Sequence, residues 1–184
     1  MSGATLIYTV GHSNRTADAL MALLGEVGVE ALVDIRAQPR SLRHPQFDTD
    51  ALRAAAEQAG MMYHWAGRQL GGHRSARSDS PHRALVEEGL RGYADYMDGD
   101  SFQRGAAQLL HLARQSATSV LCAERDPERC HRSLLADYLT LCNTRVIHLL
   151  DSGLRREHML RPEARRESAQ LIYDRHRSAE LDLQ

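Results

Sequence analysis

The residue types best able to do chemistry crowd into one run, Cys122-Ala123-Glu124-Arg125-Asp126-Pro127-Glu128-Arg129-Cys130-His131-Arg132. It holds two of the three cysteines in the 184-residue chain. An apolar run, Ser119-Val120-Leu121, precedes it and an amphipathic one, Leu134, Leu135, Tyr138 and Leu139, follows. That pattern is a strand-to-helix connection, where α/β proteins build sites. Cys130 lies near the start of the helix, beside Arg129, His131 and Arg132, all of which favour a thiolate. Cys122 ends the strand, where a buried cysteine is an ordinary packing residue. A cysteine-phosphatase loop needs five residues between cysteine and arginine so that backbone N–H groups encircle the anion. Counting from Cys122, that position is Glu128, and Arg129 lies one residue too far. Glu124 inside such a loop would repel the anion, so that reading fails. No Cys-x₂-Cys or His-Glu-x-x-His pattern is present, and neighbours such as Cys130 and His131 seldom reach one ion. The expectation is no metal, with Cys122, Cys130 and His131 as the alternative ligand set.

These residues need elements to position them. Thr5–Val10, Glu30–Arg36, Met61–Trp65, the run ending at Cys122, and Arg145–Leu150 read as strands. Helical spacing falls between them: after Thr16 as a cap, from about Asp48 to Ala59, near Ala84–Tyr96, over Phe102–Gln115 with Ser101 as cap, and from His131 to Leu141. Residues 73–82, rich in Arg, Ser and His, read as a loop that could serve as a lid. Alternating strands and helices predict a single three-layer α/β domain. Its mostly parallel, Rossmann-like central sheet has about five strands. The predicted core spans residues 1–152, and residues 153–184 form a charged C-terminal arm packed on it. Right-handed crossovers then bring every strand's carboxyl end to one edge.

Four connections meet at that edge. The first carries Gly11, His12, Ser13, Asn14 and Arg15. The second begins at Asp34 and Arg36 and adds Arg40, Ser41, Arg43 and His44. The third carries Arg68, Gly71 and Gly72, and the fourth is the Cys122–Arg132 run. Arginines, glycines and free helix N-termini in such numbers suit an anion, with phosphate the commonest case. His12 is a candidate donor or general acid/base. Asp34 and Glu124 are either general bases or partners of Arg36 and Arg125. Trp65 and Phe47 offer stacking surfaces, and His148 reads as structural.

Here the sequence resembles the Domain of Unknown Function 488 family across nearly its whole length. The resemblance rests on Val10-Gly11-His12-Ser13-Asn14-Arg15, Val33-Asp34-Ile35-Arg36 with Pro39-Arg40-Ser41, Phe47, and Leu70-Gly71-Gly72. It continues in Leu121-Cys122-Ala123-Glu124, Cys130-His131-Arg132 and His158-Met159-Leu160. The resemblance implies an α/β domain and names no activity; Ala37 departs from the usual segment before the proline.

Composition narrows the remaining choices. The net charge of −1 argues against a chain that is basic throughout, while allowing a local basic face. All 23 basic residues are arginine, which excludes Schiff-base and lysine general-base chemistry. Three cysteines suit a reducing cytoplasm, the strand-like segment after Met1 shows no signal peptide, and no apolar run approaches the length of a membrane span. The expected function is an enzyme or nucleotide-handling domain that binds a phosphate-bearing ligand, a nucleotide or nucleic acid, at the sheet's carboxyl edge. Its expected catalytic residues are His12, Asp34, Glu124 and Cys130. Ser13, Asn14, Arg15, Arg36, Arg40, Ser41, Gly71, Gly72, Arg125, His131 and Arg132 are the expected ligand contacts. The alternatives are a non-catalytic nucleic-acid or protein-binding module, or a metal- or thiol-dependent enzyme. The sequence specifies neither cofactor nor oligomeric state.

Overall fold

Residue alternation along the strands decides which helices cover which face. In the computed structural model, which describes residues 5–175, five strands run parallel. They are β1 (Thr5–Gly11), β2 (Ala31–Asp34), β3 (Met62–Trp65), β4 (Thr118–Cys122) and β5 (Thr144–Asp151). A sixth, β6 (Leu154–Glu157), lies antiparallel to β5, and the order is β3-β2-β4-β1-β5-β6. Successive side chains on a strand point to opposite faces. Val10, Leu32, Leu121 and Leu149 therefore pack with α1 (Ala17–Gly25) and α2 (Thr49–Gln58). Ile7, Val33, Val120, Cys122 and Val146 face α4 (Glu88–Met97), α5 (Asp100–Ala113) and α6 (Arg132–Leu141) on the other side. A single turn, α3 (Gly67–Leu70), precedes α4.

The mixed α/β, mostly parallel architecture is as the sequence implies, with one strand more than the expected five. The extra strand comes from the expected arm, which begins as β6 within the sheet itself. Beyond it, β7 (Ala164–Glu167) and β8 (Gln170–Tyr173) form a separate hairpin. The end of the arm, residues 176–184, lies outside the described residues. Two helix starts also differ. α4 begins at Glu88, not near Ala84, because Ala84 spends its N–H on the Tyr173 carbonyl at 2.9 Å. α5 is preceded by Gly99, whose carbonyl receives the Gln103 N–H, so Ser101 lies inside the helix. Thr16 caps α1 as expected, its hydroxyl accepting from the Ala19 N–H at 3.1 Å. Among the described residues no helix is long and apolar enough to cross a membrane.

A buried polar chain ties the C-terminal segment to α6. The Thr9 hydroxyl meets His148 Nδ1 at 2.6 Å, and His148 Nε2 meets His158 Nδ1 at 2.9 Å. His158 Nε2 donates to Asp137 Oδ1 at 2.7 Å, while the Tyr173 hydroxyl donates to Asp137 Oδ2 at 2.9 Å. The Arg161 amide supplies a further donor to Asp137 at 3.1 Å. Every member has its partner, as buried polar groups require.

Candidate active site

The order of strands opens the cleft. β1 and β4 are neighbours, yet β1 leads to α1 on one face and β4 to α6 on the other. The chain thus departs in opposite directions from adjacent strand ends, the geometry that leaves a crevice in open α/β sheets. Backbone pairing runs on past the strands, from the His12 N–H to the Cys122 carbonyl and from the Ser13 N–H to the Ala123 carbonyl, both at 2.9 Å. Gly11 is required for this approach, since a Cβ there would stand 1.8 Å from the Glu124 carbonyl oxygen. Ser13 takes up the turn with φ of 49°, a left-handed conformation that strains a residue with a side chain.

The resulting cavity has a volume of about 950 Å³. Its lining includes His12, Ser13, Asn14, Arg36, Arg40, Ser41, Gly72, Cys122, Glu124, Arg125, Cys130 and His131, all singled out from sequence. Arg43, His44, His73, Glu87 and Arg129 line it as well. His73 comes from the stretch read as a loop or lid and Glu87 from the stretch read as the start of a helix, and neither was singled out as a site residue. Among the described residues, Arg40, Arg43 and Arg129 have no carboxylate partner within ion-pair distance.

Arg36 is held from below. Its Nε and NH2 bond Asp34 Oδ1 and Oδ2 at 2.9 and 2.6 Å, a bidentate pair between two buried residues. Asp34 also accepts from the Arg36 N–H at 3.1 Å and the Tyr63 hydroxyl at 2.7 Å. Burial works against the guanidinium charge, but the hydrogen bonds and charge of Asp34 more than restore it, raising the Arg36 pKa. With both oxygens occupied, Asp34 orients Arg36 and does not reach the cavity, contrary to its expected role as acid or base. The remaining NH1 approaches His12 Nε2 at 3.4 Å.

His12 is itself buried, with Phe47 stacked beneath it at 4.4 Å between ring centroids. Phe47 is fully buried, so it supports the imidazole and offers no surface to a ligand. Nδ1 faces the Ser13 carbonyl at 2.9 Å, which assigns the proton to Nδ1 and leaves Nε2 the lone pair. Burial lowers the His12 pKa. The bond to Ser13 partly opposes that, and the Arg36 charge adds to the lowering.

On the opposite wall, Cys130 Sγ lies 3.0 Å from Cys122 Sγ and 3.6 Å from His131 Nδ1, while Cys122 Sγ lies 4.0 Å from that nitrogen. Cys130 donates to Cys122, which holds the Cys122 thiol well below its ordinary pKa against the effect of burial, with help from His131 and Arg132. The same shared hydrogen bond and burial push Cys130 up. Of the two thiols it is Cys122 whose pKa is lowered, whereas the sequence pattern points to Cys130. The three ligating atoms lie within 4.8 Å of one another, so the adjacency of Cys130 and His131 does not prevent convergence. Cys130 is extended (φ −133°, ψ 147°) and His131 turns into the helix (φ −53°, ψ −18°), which aims both side chains at one point.

Three expected ligand contacts and one expected catalytic residue are not in the lining. Arg132 is only 1% exposed; its NH2 donates to the Glu124 and Arg125 carbonyls at 3.0 and 3.2 Å and pins the loop from inside. Arg15 turns away to the Leu150 carbonyl. Gly71 packs on Gly67 and Ala37, and Asp34 serves Arg36. Glu124 does not pair with Arg125, whose guanidinium binds Asp151. His148 is structural, as read.

No curated protein and no solved structure matches this chain. The profile of the family described as "Domain of unknown function DUF488" matches residues 16–139, a span holding β2 to β4 and most of the cavity wall, and the chain belongs to that family.

Proposed function

We propose that the cleft binds a phosphate-bearing ligand of nucleotide size and acts on it. The observation that carries this reading is that Arg40, Arg43 and Arg129, which have no carboxylate partner among the described residues, line one cavity with Arg36 and His12. Unpaired cations that converge on a concave space favour a planar or tetrahedral oxyanion. The volume of about 950 Å³ falls at the upper end of small-ligand pockets, roughly 300–1,000 Å³. Arg36, fixed by Asp34, would clamp the anion with little loss of side-chain freedom. His12 would then exchange a proton at Nε2, the nitrogen left without one. A small ligand fits better than an extended single strand, because Phe47 is buried and Trp65 does not line the cavity.

Thermal shift with inorganic phosphate, sugar phosphates, nucleoside phosphates and a single-stranded oligonucleotide tests the reading. At least one phosphate-bearing small molecule should raise Tm in the wild type, and Arg36→Met should abolish the shift. Absence of any shift at millimolar concentration overturns it. A shift from the oligonucleotide alone, falling steeply with salt, favours the nucleic-acid module instead.

A further inference from the structure

We propose that Cys122, Cys130 and His131 form a zinc-binding site on the wall of the cleft, with three protein ligands and a fourth position open to the cavity. A tetrahedral zinc ion with bonds of about 2.3 Å to sulfur and about 2.05 Å to nitrogen sets S···N edges near ~3.6 Å and an S···S edge near ~3.8 Å. The two S···N distances, 3.6 and 4.0 Å, already match that value or exceed it by about 0.4 Å. The S···S distance of 3.0 Å must open by less than about 1 Å, a small rotation of one thiol side chain. The donor set is soft, two sulfurs and an imidazole, which selects zinc over magnesium or calcium.

Surroundings independent of those distances also suit thiolate ligands. The Arg132 N–H points at Cys130 Sγ from 3.5 Å, an outer bond of the kind that orients a ligand. The Arg132 guanidinium is buried beside the pair, a fixed positive charge whose Nε and NH1 have no partner and which has no carboxylate partner among the described residues. Gly72 leaves room for the imidazole, since a Cβ there would stand 2.8 Å from His131 Nδ1. Among the described residues no fourth His, Cys, Asp or Glu joins the cluster. A structural zinc site closes its coordination shell with protein, whereas an open position belongs to sites that bind water or substrate. All three ligands line the same cavity as Arg36 and His12. The site does not depend on which anion the arginines bind, so metal and anion can be tested separately.

The probe is cobalt(II), titrated into metal-stripped, fully reduced protein. One ion per chain should produce an intense near-ultraviolet thiolate-to-cobalt band and visible bands of tetrahedral cobalt, both erased by one equivalent of zinc. Cys122→Ser and Cys130→Ser should each lose at least half of the near-ultraviolet band and bind at least tenfold more weakly. Cys142→Ser, which alters an exposed cysteine outside the cluster, should leave the titration unchanged. In the wild type, zinc should also shield two of the three thiols from a thiol-labelling reagent, a measurement that needs no variant to fold. A titration without the thiolate band, a band that survives both serine variants, or three thiols equally reactive with zinc present would overturn the proposal.

Discussion

Two polar clusters, each with histidines among its members, adjoin α6 and behave differently. Behind the helix, Thr9, His148, His158, Asp137 and Tyr173 form a buried chain in which each polar group has a partner. In front of it, His12, Arg36, His131, the two cysteines and several arginines line a cavity, and among the described residues Arg40, Arg43 and Arg129 there have no carboxylate partner. The lesson is that residue type does not separate a structural network from a site; satisfaction does. A closed network stabilises the fold, whereas unspent hydrogen-bonding capacity in a cavity is available to a ligand.

The sharpest way to break this comparison is to substitute the centre of the closed network. Asp137→Ala leaves His158, Tyr173 and the Arg161 amide without their acceptor, and should destabilise the protein by about 3–5 kcal/mol in urea denaturation. Loss of less than ~1 kcal/mol would show that the network contributes little. Asp34→Ala comes next, because Asp34 is closed beneath a group that is open. It should lower stability by about 3 kcal/mol, and it should weaken the best phosphate-bearing ligand at least tenfold. Unchanged affinity would remove Arg36 from the binding site.

Acid should act on the closed cluster through His148, whose pKa burial and the neighbouring His158 depress to about 3. The unfolded chain binds that proton near the ordinary value of about 6.5. Stability is therefore fully present above that value and falls as the pH drops toward 3, with a slope approaching ~1.4 kcal/mol per unit for this one group. His12 and His82, also lowered by burial, act in the same direction. Denaturation curves between pH 4 and 7 read the slope, and His148→Gln should flatten it. Arg40→Ala with Arg43→Ala should change stability by less than about 0.5 kcal/mol, as expected for exposed residues without partners. The double variant should nevertheless weaken phosphate binding and reduce its salt dependence. Ser13→Gly relieves the left-handed serine and should add about 0.5–1 kcal/mol to stability.

Much of the sheet was legible because strand and helix periods differ. β1, β4 and β5 are apolar runs bounded by polar connections, and Thr16 is a cap by residue type alone. The cavity wall was legible as a sum over four connections, since His12, Arg36 and Cys130 had no reason to be where they are as core residues. Strand order was not legible. Nothing in the local pattern of β4 says that it inserts between β2 and β1; that follows from packing helices on two faces. Arg132 looked like a ligand contact because an arginine at a helix start normally is exposed. Only the fold shows that the Glu124 and Arg125 carbonyls lie inside it. The convergence of Cys130 and His131 depends on two successive backbone conformations that spacing rules do not encode. β6 was hidden because all four of its residues are exposed, leaving no alternation to read.

The insertion of β4 between β2 and β1 has a consequence for synthesis. β1 is made long before its two neighbours, β4 and β5, so that Ile7 waits for Thr118 and Thr5 for Thr144. Pairings this remote in sequence fold slowly, because the intervening chain must be closed into a loop before any contact rewards it. β2 and β3 can pair early, but β1 stays unpaired by either neighbour until β4 is out. The cleft is therefore among the last features to form. Truncated chains ending before β4 should aggregate and should not accumulate as a smaller folded unit.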